Sequence, residues 1–142
     1  MADVSGKIRV RLVTPEKVLV EDSADAVELP ATTGYFEVLY GHAPLMAELG
    51  AGDVTFHGLG GSETTRYNVS WGFVEVLPDR VTILANDAIV PSAIDVPRAK
   101  QQLEHGHELW NQAGDSEEAY TEANHVIHEA EAKLASAASK AN

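Results

Sequence analysis

Tyr35-Phe36-Glu37-Val38-Leu39-Tyr40-Gly41-His42-Ala43-Pro44-Leu45 is the stretch on which the fold turns. Its first six residues, rich in aromatic and β-branched side chains, read as a strand. Its end reads as a corner. Gly41 lets the backbone turn out of the strand. Pro44 fixes its own φ and pushes Ala43 toward an extended conformation. His42 is held at that corner with its ring free to point elsewhere.

The same pattern of short strand and sharp turn extends in both directions. Ile8, Val10 and Leu12 alternate with Arg9, Arg11 and Val13, a period of two. Thr14-Pro15-Glu16 reads as a turn. Strands follow over Lys17 to Glu21, Ala26 to Leu29, Tyr35 to Tyr40, Asp53 to His57, Thr65 to Ser70, Gly72 to Leu77 and Arg80 to Ala85. Gly58-Leu59-Gly60-Gly61-Ser62 reads as a flexible hairpin tip and Pro78-Asp79 as a tight turn. Many short strands with no helix between them predict an antiparallel sandwich or barrel.

The period changes at Ile94. Asp95 is placed to cap a helix with Val96 and Pro97 in its first turn. Ala99, Leu103, Gly106, Trp110 and Ala113 then share one face. Gly114 can end this helix, and Asp115 or Ser116 can cap the next; Asp115 and Glu118 have capping-box spacing. Ala119, Ala123, Ile127, Ala130, Leu134 and Ala137 form a second stripe. Two such stripes joined by a few residues predict an antiparallel helical hairpin. The domain reading is residues 1–90 as a β-sandwich and 91–142 as the hairpin.

Composition narrows the function. With 10 Lys and Arg against 22 Asp and Glu, the net charge is −12. Phosphate contacts need clustered cations, so nucleic acid and direct docking on anionic lipid are disfavoured. The chain has no cysteine, which excludes disulfides and thiolate metal sites. No apolar run is long enough to span a bilayer, and the N-terminus lacks targeting character. No Gly-rich phosphate loop, nucleophile elbow or His-Glu-x-x-His occurs, so no catalytic residue is expected. His105, His107, His125 and His128 fall on the two helices. His105 and His107 face nearly opposite ways, so solvent-facing histidines are expected there rather than a metal site.

Several separated segments, in this order, resemble the epsilon subunit of bacterial F-type ATP synthase, the counterpart of the mitochondrial delta subunit. They are Val13-Thr14-Pro15-Glu16, Val27-Glu28-Leu29-Pro30, Val38 to Leu45, Val69 to Val76, Val81 to Ala85 and Ile94 to Ala99. In the Val69 to Val76 segment, Trp71 replaces a glycine of the family pattern. The resemblance implies an N-terminal antiparallel β-sandwich of about ten strands followed by a C-terminal antiparallel α-helical hairpin. It implies a non-catalytic rotor subunit of the central stalk, bound to the gamma subunit and the c-ring, coupling proton flow to ATP synthesis. It also implies possible contact of the hairpin with the alpha/beta catalytic head, and peripheral attachment at the cytoplasmic face of the bacterial inner membrane.

For sites, the resemblance implies c-ring contacts at Thr33, Tyr35, Glu37, His42 and Leu45. The usual family pattern has an acidic residue at Tyr35, a glycine at Glu37 and a proline at Tyr40. Some relatives bind ATP at the segment holding Asp95 and Arg98. The alternative function is therefore an ATP-sensing regulator, with ATP as its ligand, whose hairpin switches to inhibit hydrolysis. The second helix here has no arginine, and the hairpin is acidic, which count against that alternative. No cofactor is otherwise expected.

Overall fold

In the computed structural model, which describes residues 6–139, alternation becomes burial directly. In β1 (Ile8–Val13), Ile8, Val10 and Leu12 are buried while Arg9 and Arg11 are exposed. The other strands are β2 (Val18–Ala24), β3 (Ala26–Ala31), β4 (Gly34–Val38), β5 (Leu45–His57), β6 (Thr64–Leu77) and β7 (Arg80–Ile89). Among the described residues they form one seven-stranded sheet in the order β2-β1-β7-β6-β5-β3-β4. Neighbours pair antiparallel except β1 with β7, which are parallel.

The sheet folds over on itself along one line. The β5–β6 ladder skips the pair Gly50–Trp71, and the β6–β7 ladder skips Trp71–Asn86, with unchanged register on both sides. Before that line, β2 and β1 pair alongside Arg80–Ala85, Gly72–Leu77 and Leu45–Leu49. Beyond it, the remaining halves of β7, β6 and β5 continue into β3 and β4. Counting β5, β6 and β7 once per layer turns seven continuous strands into ten strand segments. This accounts for the expected number. It also explains why the reading of Asp53 to His57 missed half a strand: β5 begins at Leu45, and its first half passes through exposed Leu45 and Met46 with little alternation.

Both layers close on a single core. Val10, Leu12, Val74 and Ile83 of one layer cluster with Val27, Leu29, Val54 and Phe56 of the other. Each fully buried side chain of this size contributes roughly 1.5–3 kcal/mol of transfer free energy. Phe56 also meets Tyr67 edge-on, with ring centroids 6.4 Å apart.

The helices form a second compact unit that begins at Val90. Helix α1 spans Val96–Asn111 and α2 spans Glu117–Ser139. The Asp95 side chain accepts from the Arg98 backbone N–H at 3.1 Å, the expected cap. At α2 the cap is Ser116, whose Oγ accepts from the Ala119 N–H at 3.1 Å. Ser116 is adjacent to Glu117, the first helical residue, so Asp115 lies one residue too early to serve. Ala99, Gly106 and Ala113 face a seam with Ala123, Ala130 and Ala137, all buried. A Cβ on Gly106 would lie 2.7 Å from Ile127 Cγ1, so the helices approach closely there. Trp110, expected in the seam, is 42% exposed and packs edge-on against Tyr120 at its margin.

Trp71 has φ 58°, the only positive value among described residues other than glycine. An L side chain in this left-handed region costs roughly 1–2 kcal/mol. In an ordinary strand alanine is more stable than glycine. Here the order should reverse: Trp71→Gly is expected to exceed Trp71→Ala by about 1 kcal/mol in urea unfolding. Equal midpoints, or a more stable alanine variant, would show that the fold line does not require this conformation.

Candidate functional site

The β3–β4 hairpin turns through Thr32 and Thr33, with Ala31 opposite Gly34. Tyr35, 62% exposed, lies opposite Pro30, and its hydroxyl accepts from the Asp53 backbone N–H at 3.0 Å. The ring therefore reaches across β3 to β5, covering Pro30 and the bare backbone of Gly52. A glycine in a strand lacks side-chain packing, and a cross-strand aromatic supplies it.

The corner after β4 is fastened at several points. His42 N–H donates to the Leu39 carbonyl at 3.1 Å, with Gly41 at φ 91°, the pattern of a type II turn. Gly41 N–H donates to the Pro78 carbonyl at 2.7 Å, tying the corner to the β6–β7 turn. His42 Nδ1 lies 2.7 Å from the Ala43 carbonyl oxygen. A carbonyl only accepts, so in this geometry Nδ1 carries the proton.

Hairpin tip, corner and the start of β5 enclose a depression of about 620 Å³. Thr33, Tyr35, His42, Leu45, Met46 and Glu48 are among its lining residues. Four of the five candidate contact residues thus come together. Glu37 does not line it. It stands opposite Glu28 across the β3–β4 pair, with its carboxylate near His57.

Asp95 and Arg98 occupy the first turn of α1, where the Asp95 carboxylate is engaged as a helix cap. In α2, Lys133 pairs with Glu129 at 3.5 Å. His105, His107, His125 and His128 are all exposed.

One surface went unread in the sequence. Val18, Val13, Leu84 and Phe73 follow one another across β2, β1, β7 and β6 in register. Phe73 is 56% exposed and Leu84 52%, although Val74, Val76, Ile83 and Ala85 beside them are buried. The sign was present: Phe73 and Leu84 occupy the outward phase of their strands, where polar residues are usual.

The family model described as ATP synthase, Delta/Epsilon chain, beta-sandwich domain, matches residues 7–91. The chain belongs to the ATP synthase delta/epsilon family. It is 40% identical over 134 residues to the ATP synthase epsilon chain of Solibacter usitatus, covering 94% of this chain and 97% of that one. It is 47% identical over 90 residues to the ATP synthase epsilon chain of Koribacter versatilis, covering 63% of this chain and 62% of that one. Among solved structures, a chain of the Euglena gracilis mitochondrial ATP synthase OSCP/F1/c-ring assembly shares the fold, with a TM-score of 0.77. The identity is 20%, over 94% of this chain and 83% of that one. A chain of the Tetrahymena thermophila mitochondrial ATP synthase central stalk/c-ring matches with a TM-score of 0.67 at 14% identity, over 92% of this chain and 96% of that one. Members of this family are accessory chains of the synthase and not its catalytic subunit. No described helix is long and apolar enough to cross a membrane.

Two outcomes follow from the geometry. A Cβ on Gly41 meets open space, so Gly41→Ala should cost only the backbone strain, roughly 1–2 kcal/mol in urea unfolding. A cost near zero would mean that the turn is not held at this φ. At Asp95, Asp95→Asn should keep the cap and stability, whereas Asp95→Ala should lose about 1 kcal/mol. Equal loss in both would point to a role for the charge beyond capping.

Proposed function

We propose that this chain is a non-catalytic rotor subunit of the central stalk of a proton-translocating F-type ATP synthase. In this reading it binds the gamma subunit and the c-ring and couples proton flow to ATP synthesis. Family membership supports the general role, and the chain's own surface supports the partners. The observation that carries most weight is the apolar row Val18, Val13, Leu84 and Phe73, four strands wide on an outer face. An apolar patch of this kind marks a surface that a partner covers. Its position on a rigid, hydrogen-bonded sheet suits a subunit that must not deform under torque. We assign this row to gamma.

The rim of the depression is assigned to the c-ring. Thr33, His42 and Leu45 line it, Tyr35 is held there by Asp53, and the corner is anchored through Gly41. Both polar and apolar residues line the depression, which suits contact with short polar loops better than contact with lipid. The whole complex would sit at the cytoplasmic face of the bacterial inner membrane. Glu37, set apart from the rim, is not needed for this contact.

The two assignments separate in one experiment on the reconstituted complex. Phe73→Asp with Leu84→Asp should weaken binding to the isolated gamma subunit by more than about tenfold, since central apolar anchors dominate such interfaces. Leu45→Asp should leave gamma binding intact while lowering ATP-driven proton pumping relative to ATP hydrolysis. Unchanged gamma affinity in the double variant would overturn the first assignment. Full coupling in Leu45→Asp would overturn the second.

A further inference from the structure

We propose that Glu28, Glu37 and His57 form a site for a divalent transition-metal cation of the Zn²⁺ class on the outer face of β3, β4 and β5. Three strands build it. Glu28 and Glu37 are direct partners across the antiparallel β3–β4 pair. His57 pairs with Ala26 on the other side of β3 while Glu28 pairs with Thr55, so His57 lies diagonal to Glu28 on the same face. One ligand atom from each residue lies within 4.8 Å of the other two.

The charges are arranged as a ligand set rather than as an ordinary surface. Like charges directly opposite in a sheet repel. His57 Nε2 contacts Glu28 Oε1 at 2.8 Å, which occupies Glu28. The Glu37 carboxylate has no ion-pair partner among the described residues. Two basic side chains of this half of the sheet have other carboxylates beside them: Lys7 pairs with Asp25, and Arg66 lies 4.0 Å from Asp53. A dication would relieve the Glu28–Glu37 repulsion on the Glu37 side, where no ion pair forms among the described residues.

One imidazole nitrogen and two carboxylate oxygens are the donors that borderline divalent ions take, with bonds near 2.0–2.2 Å. Glu28 and His57 are half-buried and already oriented toward each other, whereas Glu37 is exposed and free to close in. Water would fill the remaining coordination. Oxygen-preferring Mg²⁺ gains little from the imidazole and should bind far more weakly. The consequence is mechanical. β4 is the five-residue edge strand of the sheet, and an ion here would tie it across β3 to β5.

The test is calorimetric titration of ZnCl₂ into the full chain, alongside a variant with His105, His107, His125 and His128 all changed to glutamine. The proposal expects a site retained in that quadruple variant. It expects at least about tenfold weaker binding in Glu37→Gln and in His57→Gln, since even an outer-shell partner costs that much. Metal-free unfolding of each variant checks that the sheet is intact. Zn²⁺ should also slow amide exchange in β4 in the parent and not in Glu37→Gln. No Zn²⁺ binding, binding lost in the quadruple helix variant, or equal affinity in Glu37→Gln would each overturn the site. So would MgCl₂ binding as tight as ZnCl₂, which would mark a diffuse acidic surface instead.

Discussion

The fold depends on a single line of backbone at which three long strands bend together: Gly50, Trp71 and Asn86. A sheet cannot fold over without giving up some ladder pairing, and here the loss is confined to this line. Trp71 takes a left-handed φ there, and Gly72 follows at φ 135°. Two layers result from one continuous sheet, and the apolar inner faces of both layers meet in a single core. Had the strands run straight, the alternation in β5, β6 and β7 would have left one apolar face in water.

The bend also organises the surface. Because β6 and β7 contribute to both layers, their inward residues are buried on either side of it. Phe73 and Leu84 are then left on the outside of one layer, adjacent in register. At the other margin, the irregular pairing between β3 and β5 at Glu28 to Ala31 leaves Pro30 and Gly52 without a regular cross-strand cover. Tyr35 fills that place from β4, and so becomes a fixed wall of the depression beside the corner. The candidate contact surfaces thus rest on hydrogen-bonded strands and a fastened corner and not on long loops.

Much of this was legible in the residues. The alternation of Ile8, Val10 and Leu12 announced β1, and the change of period at Ile94 announced the helices. Asp95 announced its own cap. Harder to read were features that depend on distant partners. Leu45 to Gly52 lacks alternation because its first half runs along an exposed rim before turning into the core. Asp115 and Ser116 were equally plausible caps until the helix start was known. Glu37 shares Tyr35's face of β4 but stands further from the hairpin tip, opposite Glu28, so its place is set by the pairing register and not by its nearness to the corner in sequence.

By itself, the sequence determined the element types and the family, since periodicity and turn residues are local and the family segments occur in order. The tertiary structure alone decided which strands bend, which apolar residues stay outside and which candidates share a surface. Those outcomes follow from register and layer closure, and register is a relation between segments far apart in the chain. No window of residues contains it. The row from Val18 to Phe73 and the trio Glu28, Glu37 and His57 exist only once the strands are laid side by side.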